Sequence, residues 1–441
     1  MTGTFRSLRN FNYRVWASGA IVSNVGTWMQ RTAQDWLVLT ELTHHNATAV
    51  GIVMSLQFGP QMVLLPLTGY AADHFDRRKL LFATQAASGA LALGLGLLTV
   101  TGLVQLWQVY VFALLLGCVT AFDSPARQTF VSDLVGEDDL SNAVALNSTS
   151  FNAARMIGPA VAGVLIASVG TGWVFLINAL SFCAVLGSLR LLRVSELRLK
   201  PLAIRTRGSF LEGFKYVWKR PDLKAAMLML FLIGTFGLNF PIFISTMSVT
   251  AFHAGASQYG LLSSIMAIGS VTGALLAARR SKPHMALLLG AGGAFGVGCT
   301  AGALMPNYML FAAALVLIGM STQTFTTSTN SLVQLSTEPA MRGRVIAIQL
   351  AIALGGTPLG APVVGWVADR FGPRWALGVG AASGFAAALV GLLYLVKYRH
   401  LRVYVEAGRV RYSMDEPYRA PLQVSPVTAV RNAVLNEAEE E

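Results

Sequence analysis

Apolar runs of helix length recur twelve times along the chain, at about 14–40, 48–71, 80–103, 106–130, 143–168, 173–193, 224–251, 257–278, 285–304, 308–333, 344–368 and 374–396. A bilayer core of roughly 30 Å is crossed by about 20 apolar residues in helix, so each run predicts one membrane span. Polar residues gather in short connections, in one long charged stretch from Leu192 to Pro221, and in a tail that begins at Lys397. When the runs are threaded through a bilayer in alternation, starting inside, 28 of the 33 Lys and Arg face one side. Arg31, Arg127 and Arg155 lie within runs, and only Arg370 and Arg374 fall on the other side. Basic residues are held on the cytoplasmic side, so this bias predicts a multi-pass protein of the cell membrane with both termini in the cytoplasm.

Composition agrees. The 441 residues are 54% hydrophobic and only 12% charged, against about a quarter charged in a soluble domain. The net charge of +12 resides in loops and tails that would face anionic lipids of the inner leaflet, so those lipids are expected partners and nucleic acid is not. Cys118, Cys183 and Cys299 all lie within apolar runs and show no metal-ligand spacing. The sequence contains no phosphate-binding Gly-rich loop ending in Lys-Ser/Thr, no paired-histidine metal helix and no serine elbow. It is therefore read as neither an enzyme nor a nucleotide-driven pump, without a cofactor or metal. A monomer is expected.

Two halves are predicted, 1–193 and 223–396, with a linker at 194–222 and a cytoplasmic tail at 397–441. In the linker, Phe210, Leu211, Phe214, Val217 and Trp218 share one helical face among basic residues, the pattern of a short amphipathic helix lying on the inner leaflet. The tail is expected to be largely disordered, with order near 403–412. The division is supported by an internal repeat: shifting the chain by 202 residues places Gly158, Gly163, Gly170 and Trp173 on Gly360, Gly365, Gly372 and Trp375. Parallel six-helix halves are one of the repeat architectures of secondary transporters.

The connection between the second and third runs reads Gly69-Tyr-Ala-Ala-Asp73-His-Phe-Asp-Arg77-Arg78-Lys79. Gly69 allows two helices to approach closely, and Asp73 suits the free N–H groups of another helix's N-terminus. The fourth run ends with Asp123 and Arg127 four apart across Pro125, so both share a helix face. The fifth run holds Arg155 near mid-membrane, then Gly158-Pro159 and Gly163. A charge at that depth is costly unless it meets water or a partner. The first run holds Arg31 and Asp35, again four apart. Opposed pressures, desolvation and nearby arginine, make Asp35 a candidate proton carrier; a fixed Arg31–Asp35 pair and a structural ion pair of Arg155 are the alternatives. Gln57, Gln61, Asn152, Asn239, Gln323 and Thr357 are read as cavity lining.

The Gly69–Lys79 loop resembles the signature loop of the major facilitator superfamily, and the resemblance covers the whole chain. His74 and Asp76 depart from the usual pattern, and the copy expected over 273–282 has lost its acid. The resemblance implies an all-α membrane fold of twelve helices in two six-helix bundles. It also implies a cytoplasmic gate of Gly69, Asp73, Arg77, Arg78, Asp123 and Arg127, in which Asp73 meets the start of the eleventh span and Arg77 pairs with Asp123. The fourth- and fifth-span motifs are most similar to the branch exporting drugs and siderophores, the secretion effectors. The function they imply is export of an amphipathic small molecule by alternating access, coupled to proton antiport through Asp35, Arg31 and Arg155. A lysophospholipid flippase and a non-transporting sensor are the other readings.

Overall fold

A computed structural model describes residues 5–64, 67, 68, 71, 75–197, 210–278, 284–400, 402–406 and 409–413. The first half consists of α1 (Phe11–Trp36), α2 (Ala47–Val63), α3 (Arg77–Val100), α4 (Leu106–Leu134), α5 (Glu137–Val169) and α6 (Thr171–Leu191). A short helix α7 (Phe210–Lys219) follows. The second half consists of α8 (Pro221–Leu232), α9 (Phe240–Thr246), α10 (Ala256–Ala278), α11 (Met285–Leu304), α12 (Tyr308–Ser336), α13 (Pro339–Phe371) and α14 (Pro373–Arg399). A wider π-helical turn at Ile233–Gly237 links α8 to α9 and a second at Met247–Ala251 extends α9, so that Pro221–Ala251 forms one stretch long and apolar enough to cross a membrane. Ten described helical stretches are long and apolar enough to cross a membrane. α1 is not one of these, because polar residues such as Asn12, Ser23, Asn24, Gln30 and Gln34 lower its hydropathy together with its charges, and α2 is described over only 17 residues. After α14, strands Arg402–Glu406 and Arg409–Ser413 pair as an antiparallel hairpin, with Val403 opposite Tyr412. Residues 414–441 of the expected disordered tail lie outside the described residues.

Helix starts are set by local chemistry. The side chains of Asn10, Asn46, Asp76 and Asn307 each accept a hydrogen bond from the backbone N–H three residues on, capping α1, α2, α3 and α12. Gly170 and Gly372, equivalent in the repeat, both adopt positive φ, +87° and +99°, where α5 and α13 end. Side-chain-bearing residues rarely tolerate that backbone, so the repeat preserves glycine there.

Within the first half, α1 packs on α5 and α6, α3 on α4 and α6, and α2 on α4. Within the second, α11 packs on α12 and α14, α10 on α12, and α8 on α14. The halves meet through two pairs of helices, α2 with α13 and α5 with α10. The end bearing the 42–47, 252–256 and 371–373 connections is termed distal, and the end bearing residues 5–10, 134–137 and 192–197 proximal. Both crossing pairs are tightest distally. A Cβ at Gly260 would strike the Pro159 carbonyl, and one at Gly163 would lie 2.7 Å from the Ala256 carbonyl. A Cβ at the repeat-related Gly365 would lie 2.5 Å from the Ala47 carbonyl, and one at Gly51 would strike the Ala361 carbonyl. In lipid there is no hydrophobic gain between helices, so close backbone packing at small residues supplies much of the attraction.

α7 sits against α13. Glu212 pairs with Arg344 at 2.8 Å, and Val217 is buried with Leu223, Val333 and Ile348. Leu211, Phe214 and Trp218 remain exposed, with Phe214 stacked on Trp218.

The glycine contacts generate a pair of stability expectations. Gly260→Ala forces a methyl group onto the Pro159 carbonyl and should cost about 1–3 kcal/mol by overpacking. Gly187→Ala meets nothing within 4 Å and should be neutral or slightly stabilising. Thermal unfolding of the detergent-solubilised variants separates the two; equal midpoints would contradict the packing account.

Candidate functional site

Between the halves lies a cavity of about 430 Å³, within the size range of small-molecule sites. Its wall draws on both halves: Trp28, Arg31, Thr32 and Asp35 of α1, Gln57 and Phe58 of α2, and Arg155 and Pro159 of α5 face Phe240, Pro241, Tyr259, Met266, Thr322, Gln323 and Thr357. Arg31, Asp35 and Arg155, the three residues singled out for proton coupling, therefore line one space.

Helix periodicity explains part of this. Trp28, Arg31, Thr32 and Asp35 fall at intervals of three and four, so they present one face of α1. The Arg31 guanidinium lies 5.0 Å from the Trp28 ring centroid and 5.4 Å from that of Phe58. Aromatic faces attract a cation in this way. The Arg31 Nε is nevertheless buried without a hydrogen-bond partner. The alternative of a fixed Arg31–Asp35 ion pair is not formed among the described residues; the Asp35 Oδ2 accepts a hydrogen bond from the Tyr259 hydroxyl across the two halves, at 3.4 Å. Tyr259 is held by stacking on Trp36 with ring centroids 6.0 Å apart. Among the described residues Arg155 makes no ion pair, so the structural-pair alternative for it is not realised.

Three of the six proposed lining residues face the cavity: Gln57, Gln323 and Thr357. The other three do not. Gln61 turns back along α2 toward the Gln57 carbonyl, and the Asn152 amide donates to the Ser148 carbonyl at 2.8 Å. The fully buried Asn239 donates to the Thr235 carbonyl at 2.8 Å, satisfying the π-helical turn before α9. A polar side chain in a membrane helix often bonds its own backbone, and one-dimensional spacing does not separate that outcome from cavity exposure. The sequence reading missed the aromatic residues Trp28, Phe58 and Tyr259. Trp28, three residues before Arg31, was legible from helical spacing; Tyr259 was not, since its partner is 224 residues away.

The gate set is also rearranged. Gly69 and Asp73 lie outside the described residues. Arg77 does not pair with Asp123; it bonds Asp133 at 2.8 Å, whose side chain is fully buried at the proximal end of α4. Asp123 instead accepts from Arg127 at 2.9 Å across Pro125, and from Thr84 and Gln85 of α3 at 2.8 and 2.7 Å. Arg127 reaches on to Asn24 of α1 at 3.0 Å. Arg78 donates to the Leu189 carbonyl at 2.8 Å. All of these contacts tie the first half together. The reason is reach: Arg77 opens α3, level with Asp133 on the last turn of α4, whereas Asp123 sits almost three turns further in. Gly158 and Gly163 act as crossing points, Gly158 against Trp28 of α1 and Gly163 against the start of α10.

The distal end carries a contact that spacing did not suggest. Both carboxylate oxygens of Asp369 near the end of α13 receive hydrogen bonds from the first turn of α2: Ala47 N at 2.6 Å, Thr48 N at 2.8 Å and the Thr48 hydroxyl at 2.5 Å. An anion at a helix N-terminus is favourably placed. With Ser55 bonding the Pro358 carbonyl at 2.7 Å and Ser264 bonding the Met156 carbonyl at 2.6 Å, it holds the halves together from the distal end to mid-helix.

Removing the partner of a buried charge leaves that charge uncompensated, at a cost of about 3–5 kcal/mol. Asp133→Ala, which strips Arg77, should therefore lower the thermal midpoint markedly. Asp139→Ala breaks only the exposed pair with Arg6 and should cost under about 1 kcal/mol. A smaller loss for Asp133→Ala than for Asp139→Ala would contradict this ranking.

Comparison with known proteins places this geometry. The chain is 26% identical over 370 residues to the staphyloferrin A transporter of Staphylococcus aureus, covering 80% of this chain and 89% of that protein. It is 26% identical over 379 residues to the enterobactin exporter EntS of Escherichia coli strain K12, covering 83% and 88%. Its fold matches a bacterial homolog of the human lysosomal transporter Spinster, solved in an inward-facing, unoccupied conformation, with a TM-score of 0.63 and 14% identity over 88% of this chain and 95% of that one. The relatives are transporters of the major facilitator superfamily, not enzymes. Residues 2–416 match the model of the transmembrane secretion effector family, and the chain belongs to that family.

Proposed function

We propose that the protein is a secondary-active exporter that moves an amphipathic small molecule, of siderophore or drug type, across the cell membrane by alternating access. The observation that carries this reading is the cavity between the halves, into which Arg31, Asp35 and Arg155 all project. A protein that only sensed or scaffolded would have no use for three charges at membrane depth. The siderophore relatives support the cargo type.

The fold is read as twelve helices in two six-helix bundles, α8 and α9 forming one crossing. The basic residues put both termini in the cytoplasm, so the distal face is external. The Asp369, Gly163–Gly260 and Gly51–Ala361 contacts are then an external closure, and the conformation is the one shut toward the outside. Asp369 with α2, and Gly163 with α10, would have to separate in the outward-open state. The exposed Leu211, Phe214 and Trp218 of α7, flanked by Lys215 and Lys219, rest on the inner leaflet and its anionic lipids.

Asp35 is the proton-responsive group: its charge sets the balance of the cavity, and its bond to Tyr259 crosses the two bundles. Efflux of a compound panel should be compared in cells with and without the protein, at several external pH values and after collapse of the proton gradient. Asp35→Asn should leave the protein inserted while removing the pH dependence of efflux. A mutant that retains wild-type pH dependence would refute this role for Asp35; absence of any efflux by the wild type would refute transport of the panel's chemistry.

A further inference from the structure

The cavity's own charge is unequal. Its charged lining side chains are two guanidinium groups, Arg31 and Arg155, and one carboxylate, Asp35. An ionised Asp35 leaves the lining with a net charge of +1, and a protonated one with +2. The carboxylate is poorly placed to meet a cationic cargo: it is 9% exposed and already accepts from Tyr259. The guanidinium groups are the opposite. Neither is ion-paired among the described residues, and the Arg31 Nε is a buried donor without a partner. Two guanidinium groups without an ion pair at membrane depth are costly, even with the aromatic faces that Arg31 meets, and a guanidinium fork matches a carboxylate in geometry and charge.

We infer that the cargo is an anion: an amphipathic molecule whose carboxylate is held by Arg31 and Arg155 while its apolar body lies against Trp28, Phe58 and Met266. The inference rests on the transport reading above and sharpens it. It also sets the sign of the proton linkage. An ionised Asp35 repels the anion, so proton and cargo bind together and do not displace one another. Exchange of cargo for a proton at Asp35, which the sequence suggests, requires a neutral or cationic cargo. A monoanion released outward without its proton is favoured by the inside-negative membrane potential, whereas one that leaves with the proton carries no net charge and gains nothing from it.

The test uses three probes with one apolar body and different charge: 2-naphthoate, 2-naphthamide and 2-naphthylmethylammonium. Each is titrated into the full-length protein in nanodiscs of zwitterionic lipid, with empty nanodiscs as the blank, and binding is read from naphthalene fluorescence. The carboxylate should bind tightest and the ammonium weakest. Arg31→Gln and Arg155→Gln should each weaken the carboxylate about tenfold, the effect of one lost charge-assisted contact, and leave the amide unchanged. Arg155→Lys, which keeps the charge, should retain the order. Asp35→Asn should tighten carboxylate binding several-fold. The inference is overturned if the ammonium binds as well as the carboxylate, if Asp35→Asn weakens carboxylate binding, or if no probe binds at millimolar concentration. These are equilibrium measurements, so their failure leaves efflux unaffected. Loss of efflux with the carboxylate preference intact would instead remove the transport reading alone.

Discussion

A bilayer does not tolerate an ionised side chain facing its hydrocarbon, and the arrangement at the centre of this protein follows from that constraint. Arg155 sits well inside α5, and Arg31 and Asp35 lie in the last turns of α1 before the wider turns of Leu37–Leu42, where each needs water, a partner or a void. The fold supplies a void, about 430 Å³ between the two halves. Among the described residues it adds one hydrogen bond from Tyr259 to Asp35, two aromatic faces against Arg31, and the opposite charges of Arg31 and Asp35 about one turn apart on α1. Arg155 forms no ion pair among them, which leaves its charge available to whatever enters.

The void exists because the halves touch on one side only as closely as backbones permit. Glycine at 51, 163, 260 and 365 removes the Cβ atoms that would hold α2 from α13 and α5 from α10. The two contact pairs are related by the internal repeat, so one packing solution is used twice. Asp369 adds a polar lock at the same end by satisfying free N–H groups of α2. Such contacts are stable enough to define a closed face. They run from the distal end to mid-helix, and in the proposed mechanism they would have to separate in each cycle.

At the opposite end the polar clusters have a different character. Arg77–Asp133 and the Asp123–Arg127–Asn24 network join helices of the first half to one another. The repeat does not reproduce them in the second half: Phe325 and Thr329 stand where Asp123 and Arg127 would fall, and Leu335 stands where Asp133 would. The Asp123–Arg127 ion pair therefore belongs to the first half alone. The asymmetry matches that of the cavity, whose charged side chains all come from the first half.

The amino-acid sequence by itself determined the class of the molecule. Apolar run length, the side on which Lys and Arg gather, and the 202-residue repeat are one-dimensional quantities, and lipid thickness reads them directly. It also marked Arg31, Asp35 and Arg155, because a charge inside an apolar run is conspicuous without any coordinates. Only the tertiary structure decided the partners. Arg77 takes Asp133 and not Asp123 because side-chain reach is set by helix level and rotation. Gln61, Asn152 and Asn239 turn to their own backbones, whereas Gln57, Gln323 and Thr357 face the void. Tyr259 and Asp369 act across contacts more than 200 residues long in sequence, and no local pattern encodes a distance that closes only when the two halves of the chain pack together.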